Sequence, residues 1–90
     1  MTRIRLRGTL TCPPEDAPTL RAALPDHIRL TRAEPGCLRF DVTETVPGTF
    51  TVDELFTDRA ALDAHQVRNR ASEWYRLTAG YPRDYAVEEA

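Results

Sequence analysis

The hydrophobic pattern of this chain changes its period four times, and this alternation constrains the fold more than any other feature. Alternating apolar and polar residues are typical of strands with one buried face. Between them, apolar residues recur every three or four positions in residues 13–34 and 58–78, as in helices with one buried side. The βαββαβ order predicts an α+β, ferredoxin-like fold with a four-stranded antiparallel sheet. The predicted strands are RIRLRGTLTC (3–12), CLRFDVTETV (37–46), FTVDELFT (50–57) and RDYAVE (83–88).

Length and charge limit the classes of function. Ninety residues are expected to form one domain, 1–90, and a domain this small favours dimerisation because it leaves much surface uncovered. A net charge of −2 gives no general attraction for nucleic acid. No segment is long and apolar enough to cross a membrane and the first residues do not resemble a signal peptide, so a cytoplasmic protein is expected. The two cysteines and two histidines lack metal-site spacing and no glycine-rich phosphate loop occurs, so neither metal nor cofactor is predicted.

The two predicted helices have recognisable ends and one internal irregularity. The first contains Pro25, which lacks a backbone donor and predicts a kink or a restarted helix, and it ends at residues 34–36, EPG. The second begins after Asp58, a favourable N-cap, and runs unbroken to about Thr78 before Gly80. Its predicted stripe against the sheet consists of Ala60, Ala64, Val67, Ala71 and Trp74.

The loop between the second and third strands sets which residues face each other. A two-residue loop at Pro47-Gly48 would pair Val42 with Asp53 and mix apolar with polar faces. A three-residue loop keeps the apolar residues together, and it is therefore predicted. The predicted pairs are Val46 with Phe50, Val42 with Glu54 and Phe40 with Phe56.

The alternation gives the sheet two different faces. Helices cover one, which carries the apolar side chains, including Leu38 and Val46 of the second strand. The other is either a solvated surface or an ion-paired interface between two sheets, since arginine is favoured at interfaces. The residues predicted on this open face are Arg3, Arg5, Arg7, Thr9, Arg39, Asp41, Thr43, Thr51, Asp53 and Leu55.

Three polar residues, His27, Glu54 and His65, point towards the helix-covered side. Taken singly, each is more typical of a satisfied core residue: a hydrogen-bonded histidine, or a glutamate paired with Arg32 or Arg83. Taken together with aromatic neighbours, they predict a small pocket between the sheet and the helices, because buried polar groups need partners or a cavity. The aromatic residues expected around it are Phe40, Phe56, Trp74 and Tyr85.

Two segments, RAEPGCLRFDV (32–42) and FTVDELFTDRAALDAHQ (50–66), together with the βαββαβ order, resemble the antibiotic biosynthesis monooxygenase family. The resemblance extends over nearly the whole chain. This family is the dimeric α+β barrel group that includes quinol monooxygenases. The resemblance implies a homodimer that meets through the open sheet face, with a pocket in each subunit. It also implies oxidation of electron-rich aromatic substrates without metal or flavin. Haem-degrading relatives carry an asparagine in the first strand, and this chain has none there.

The resemblance and the predicted faces together suggest roles for individual side chains. His65 is the first candidate for a general base and His27 the second, while Glu54 is expected to orient an imidazole. Arg68 or Arg83 is expected to hold the oxyanion. Two alternatives remain open: a non-catalytic dimeric protein that binds an aromatic metabolite, and a cyclase or isomerase of aromatic polyketides. The residues expected to pack a small aromatic ligand are Trp74, Phe40, Phe56 and Tyr85.

Overall fold

The computed structural model describes residues 2–90 and confirms the α+β, ferredoxin-like βαββαβ architecture. The second helical segment is divided in two, and a single 3-10 turn, Pro14–Asp16, precedes the first α-helix. The strands are β1 (Ile4–Thr11), β2 (Cys37–Val46), β3 (Thr49–Phe56) and β4 (Arg83–Glu89), and the helices are α1 (Ala17–Arg32), α2 (Arg59–Arg70) and α3 (Glu73–Thr78).

The four strands form one antiparallel sheet in the order β2-β3-β1-β4. The central strands β1 and β3 pair along their length, from Ile4 opposite Phe56 to Thr11 opposite Thr49. Their apolar face is buried, as the alternation predicts, because successive side chains of a strand point to opposite faces. The buried residues of these two strands are Ile4, Leu6, Leu10, Phe50, Val52, Glu54 and Phe56.

The β2–β3 hairpin differs from the predicted register. Only Pro47 and Gly48 connect the strands, and Gly48 has a φ of +88°, a conformation that glycine adopts without strain. The predicted three-residue loop is therefore wrong. A bulge between Glu44 and Val46 adds the residue that keeps the apolar side chains on one face despite the short turn. The observed pairs, two residues back along β3 from those predicted, are Phe40 with Glu54, Val42 with Val52 and Glu44 with Phe50.

The ends of β2 are more exposed than predicted. A second irregularity between Cys37 and Arg39 interrupts the alternation, and Leu38 is 48% exposed. Val46, beside the other bulge, is 59% exposed. Both were predicted on the buried face, and both predictions are wrong because the bulges bend β2 away from the regular pleat at its ends.

Helix α1 is continuous from Ala17 to Arg32 and passes through Pro25, so the helix does not restart there. One missing backbone donor is tolerated because packing of the buried side against the sheet, rather than backbone bonding alone, stabilises most protein helices. The side that faces the sheet includes His27, as predicted. Its buried residues are Ala17, Leu20, Leu24, His27 and Thr31.

The predicted unbroken second helix is wrong, since the chain ends α2 at Arg70 and starts again at Glu73. The hydroxyl of Ser72 accepts a hydrogen bond from the backbone N–H of Tyr75 at 3.1 Å and caps the new helix. The predicted alanine stripe is also wrong: Ala60, Ala64 and Ala71 are exposed, and Val67 is 64% exposed.

The buried side of α2 is formed instead by Leu62 and His65, and that of α3 by Trp74 and Thr78. Leucine buries more apolar area than alanine, so this orientation gains more from the sheet than the predicted one. The break after α2 then allows Trp74 to reach the core without lying on the same stripe as the α2 residues.

Gly36 brings the end of the α1–β2 connection against α2. A Cβ atom at Gly36 would lie 2.3 Å from the Cβ of Ala61, which no side chain tolerates. The backbone N–H of Thr57 donates to the carbonyl of Gly36 at 2.9 Å, and the side chain of Asp58 caps α2 through the N–H of Ala61 at 2.8 Å. This close packing places the neighbouring Glu34 beside the buried side of α2.

The open face of the sheet carries a network of ion pairs. The guanidinium of Arg5 donates two hydrogen bonds to Asp53, at 3.0 and 2.9 Å, and Arg39 contacts the same carboxylate at 3.4 Å. Arg7 donates to Glu88 at 2.6 Å.

In the described part of the chain, no helix has the length and apolar character needed to cross a membrane.

Candidate active site

The centre of the candidate site is His65, whose side chain is only 4% exposed. Its Nδ1 lies 2.9 Å from Oε1 and 3.1 Å from Oε2 of Glu34. The same carboxylate accepts a hydrogen bond from Nε of Arg68 at 2.5 Å, and Arg68 also donates to the hydroxyl of Thr31 at 2.7 Å. Because Glu34 accepts from the guanidinium, we assign the ring proton of His65 to Nδ1. The lone pair of the ring is then on Nε2.

Nε2 of His65 faces the carboxyl group of Glu54 at a distance of 3.7 Å. This separation is too long for a direct hydrogen bond. Burial, together with the charges of Glu34 and Asp53, raises the pKa of Glu54 to about 8. Burial also lowers the pKa of His65, although the hydrogen bond to Glu34 opposes the decrease. Near neutral pH, the pair is therefore an uncharged acid facing an uncharged imidazole rather than an ion pair.

His27 lies beside this pair and is held by aromatic rings. It stacks on Trp74 with ring centroids 5.2 Å apart and an angle of 11° between planes, and it meets Phe40 edge-on at 5.3 Å. Burial, the charge of Arg68 and the charge that His65 carries when protonated lower the pKa of His27 to about 3. An imidazole with this pKa is a weak base, so the two histidines are not equivalent.

A cavity of about 30 Å³ lies between these side chains. About 10–15 Å³ is enough for one water, so the cavity accommodates one or two water-sized groups. Four buried side-chain polar atoms in residues 2–90 lack a hydrogen-bond partner, and three of them belong to residues that line this cavity: Nδ1 of His27, Oε1 of Glu54 and Oδ1 of Asn69. Buried polar atoms are rarely left unpaired, so their concentration here is a signature of a site for a polar group.

A comparison of the sequence with known protein families gives evidence that does not depend on the geometry of the site. Residues 3–76 match the family described as antibiotic biosynthesis monooxygenase. The chain belongs to the antibiotic biosynthesis monooxygenase family. Among curated proteins, no sequence matches the chain.

Three solved structures resemble this member of the antibiotic biosynthesis monooxygenase family over nearly its whole length. A protein from Mycobacterium tuberculosis is 29% identical, with a TM-score of 0.75 over 96% of this chain and 92% of its own. A Nitrosomonas europaea protein of unknown function is 26% identical, with a TM-score of 0.83 over 100% and 90%. A Deinococcus radiodurans protein assigned to the antibiotic biosynthesis monooxygenases is 27% identical, with a TM-score of 0.80 over 97% and 91%.

The structure of this antibiotic biosynthesis monooxygenase family member brings most of the predicted site residues together. Phe40, Trp74, Tyr85 and Arg83 line the cavity with the two histidines and Glu54. Phe56 is fully buried and lies behind the ring of His65, with centroids 5.2 Å apart, so it supports the imidazole from outside the cavity lining.

The two arginines that were candidates for the oxyanion are engaged elsewhere. Arg68 donates to Glu34 and Thr31, as described above, and Arg83 donates to the backbone carbonyl of Thr78. Neither Arg32 nor Arg83 pairs with Glu54, because Arg32 donates to Asp41 and to the carbonyl of Phe40. The expectation of an arginine partner for Glu54 is therefore wrong.

Three further residues belong to the site although the sequence pattern did not predict them: Glu34, Gln66 and Asn69. Glu34 belongs to the EPG stop of the first helix and to the segment 32–42 that resembles the family, and neither feature predicts a role in the site. The available signal was the spacing of His65, Gln66 and Asn69, because residues four apart share one side of a helix. Assigning α2 to the wrong stripe concealed this signal.

The stacked rings of His27 and Trp74 separate the cavity from the surface. Both residues also line an outer groove of about 150 Å³ between α1 and α3. The groove and the inner cavity therefore share this pair of rings as a common wall. Ala23, Leu30 and Ser72 form other parts of the groove.

Proposed function

We propose that this protein is a cofactor-independent monooxygenase that acts on an electron-rich aromatic substrate of the quinol or anthrone type, with His65 as general base. The observation that carries the proposal is the arrangement of His65, whose Nδ1 is held by Glu34 and whose Nε2 faces the cavity. A fixed tautomer with a free Nε2 is what a histidine base requires. Membership in the antibiotic biosynthesis monooxygenase family supports the oxidative chemistry.

The reaction begins when Nε2 of His65 removes a proton from the substrate. The resulting phenolate or carbanion transfers one electron to O₂, and the substrate radical and superoxide combine into a peroxide. Loss of water then leaves one oxygen atom on the substrate and places the other in water. A hydroquinone would become a hydroxyquinone in this way, and an anthrone would become an anthraquinone. The substrate supplies the electrons, and the protein supplies the base and a site shielded from water.

The cavity admits only part of such a substrate. A space on the order of 150 Å³ is needed for a benzene ring, whereas the inner cavity measures about 30 Å³. We place the reacting group in the inner cavity and the ring against His27 and Trp74, with Trp74 displaced towards the outer groove. Because α2 ends at Arg70 and α3 begins at Glu73, Trp74 is not part of the helix that carries His65, and this break supports a movement of Trp74 without a movement of His65.

We also propose a homodimer that forms through the open face of the sheet. Ion pairs such as Arg5–Asp53 fix the side chains of this face, and arginine is enriched at interfaces. Leu55 lies on the same strand as Asp53 and presents an apolar side chain among these charges. The small size of the domain adds to the case, since two sheets facing each other cover surface that one chain leaves exposed.

Oxygen consumption provides the test of the proposed function. The purified protein, free of added metal or flavin, is supplied with a hydroquinone or an anthrone, and O₂ uptake and products are followed together. One O₂ consumed per product supports the proposal. Binding of either compound without O₂ uptake would contradict it and favour a protein that binds aromatic metabolites.

A further inference from the structure

We infer that Glu54 acts as a neutral carboxylic acid that donates a hydrogen bond to the same substrate oxygen whose proton passes to His65. This role differs from orienting an imidazole, because Glu54 contacts the substrate instead of the histidine. The inference rests on the proposed function for the identity of the base, but it concerns how the substrate oxygen is recognised. Glu54 and His65 form a two-point receptor for one hydroxyl group.

The distance between the side chains of Glu54 and His65 is too long for a direct hydrogen bond and leaves room for a bridging group. Oε1 of Glu54 and Nε2 of His65 are 3.7 Å apart, and no other residue satisfies Oε1. A hydroxyl oxygen to one side of the line between these two atoms lies about 2.7–2.9 Å from both, and it can donate to Nε2 and accept from the acid. The cavity of about 30 Å³ is the size of such a group. A single oxygen therefore completes both contacts.

The surroundings of Glu54 keep its proton in place. Its side chain is 7% exposed, and the carboxylates of Glu34 and Asp53 disfavour a further negative charge nearby. An ionised Glu54 would repel the phenolate that forms when His65 takes the proton. A neutral acid instead stabilises that phenolate with a hydrogen bond inside a site of low dielectric constant.

The two arginines expected to hold the oxyanion make contacts elsewhere, and neither pairs with Glu54. Arg68 is engaged by Glu34 and Thr31, and Arg83 lines the cavity but donates to a backbone carbonyl. Glu54 is the unpaired acid next to Nε2, so it replaces the arginine expected to hold the oxyanion. In the proton-transfer step, the O–H bond of the substrate breaks, an N–H bond forms at Nε2, and the proton of Glu54 stays on Glu54.

The receptor predicts selectivity for a hydroxyl group over an ether. A methyl ether offers no proton to Nε2, and its methyl group does not fit the gap between the two side chains. The ether therefore loses one buried hydrogen bond and leaves its protein partner desolvated and unpaired, which should lower its affinity roughly 10- to 100-fold relative to the phenol. An apolar side chain at position 54 should cause a similar loss for the phenol alone.

The experiment uses 4-nitrophenol and its methyl ether, 4-nitroanisole, under anaerobic conditions, so that no turnover is required. Binding to the wild-type protein, E54Q and E54L is measured by calorimetry, and ionisation of the bound phenol by its visible absorbance. Glutamine keeps a donor, whereas leucine removes it and retains the volume. We expect wild type to bind 4-nitrophenol about 10- to 100-fold more tightly than the ether, E54Q to keep most of this preference, and E54L to lose it.

The ionisation of bound 4-nitrophenol provides a readout that a purely structural role for Glu54 would not change. In E54L, we expect the phenolate to form at a higher pH than in wild type. Equal affinity of wild type for the phenol and the ether, or an unchanged ionisation in E54L, would overturn the inference. The comparison of the two ligands on the wild-type protein remains decisive if E54L does not fold.

Failure of the inference and failure of the proposed function have different signatures. Selective phenol binding without O₂ uptake from a hydroquinone would support the receptor formed by Glu54 and His65 and contradict the proposed monooxygenase activity. O₂ uptake that is unchanged in E54L would support the monooxygenase activity and contradict the receptor.

Discussion

Glu34 and His65 are separated by 31 positions in the sequence, yet a carboxylate oxygen of one lies 2.9 Å from Nδ1 of the other. The contact joins the end of the α1–β2 connection to the buried side of α2. It decides which ring nitrogen faces the cavity, and the proposed chemistry depends on that choice. The guanidinium of Arg68 fixes the carboxylate from the other side.

Removing the imidazole should abolish most of the turnover. We expect H65A to lower the rate of O₂ uptake with a hydroquinone by about 100- to 10,000-fold, the usual contribution of a general base. The matched control is D63A on the exposed side of the same helix, where Asp63 pairs only with Arg59. D63A should retain wild-type turnover. Full activity in H65A would remove this histidine from the mechanism.

Replacing Glu34 by glutamine should change the pH dependence as well as the rate. The carboxylate stabilises the imidazolium formed during the reaction, so E34Q should lower turnover at least about 10-fold. It should also lower the pKa of His65 further, because the hydrogen bond and charge of Glu34 raise that pKa. The acid limb of the pH–rate profile then moves to lower pH.

The control for E34Q is D63N, which removes an exposed carboxylate paired with Arg59 on α2. Exposed ion pairs contribute little to stability, so D63N should leave both the rate and the acid limb in place. An E34Q profile that coincides with that of wild type would contradict the assigned role of Glu34.

Glu54 should make the folded state less stable as the pH rises from 6.5 to 8. Its pKa is raised from 4.5 to about 8 on folding, so the native state holds a proton that the unfolded state has lost. Stability therefore falls with increasing pH across this window. The effect is about 1–2 kcal/mol, because one proton corresponds to about 1.4 kcal/mol per pH unit. Urea unfolding of wild type and E54Q measures it, and E54Q should lack this slope.

The range from pH 6.5 to 8 is chosen because His27 contributes to the pH dependence of stability with the opposite sign, and it does so mainly below pH 6.5. Its pKa is lowered from 6.5 to about 3, so the unfolded state binds the extra proton and stability falls as the pH drops below 6.5. Between pH 4.5 and 6.5, the contributions of His27 and Glu54 have opposite signs. Equal slopes for wild type and E54Q above pH 6.5 would show that Glu54 does not hold its proton on folding.

Trp74 should report occupation of the site through its fluorescence. It is the single tryptophan of the chain, and its ring forms the wall between the inner cavity and the outer groove. We expect anaerobic titration with a hydroquinone to change the emission intensity or wavelength with a saturable dependence on ligand concentration. Ligand binding measured by calorimetry with no change in emission would show that the ring is not displaced.

A charge at Leu55 should disrupt the proposed dimer. We expect L55R to shift the mass measured by light scattering from dimer to monomer, because Leu55 lies directly opposite Arg5 and Arg39 and a third positive charge would be buried beside them between the two sheets. The matched control is V67R, which places the same charge at an exposed apolar residue of α2. V67R should remain dimeric. A wild-type protein that is monomeric at all concentrations would exclude the interface.

The sequence alone determined the layers of the fold. Alternation in β1 places Ile4, Leu6 and Leu10 on the buried face, and this local pattern is readable because a strand has a strict period of two. The same rule directed Glu54 and Phe40 towards the helices. The predicted faces of β2 and β3 remained correct away from the bulges although the hairpin register was wrong, since a displacement of two residues leaves each side chain on the same face.

Only the tertiary structure decided which atoms meet. The bulge beside Val46, the break before Ser72 and the orientation of α2 depend on packing between distant segments, and an alanine-rich helix gives a weak local signal of which side is buried. The pairing of Glu34 with His65 required Gly36 to let the α1–β2 connection approach Ala61. Sequence periodicity specifies a face, whereas a hydrogen bond between elements requires their relative positions to within a few tenths of an ångström.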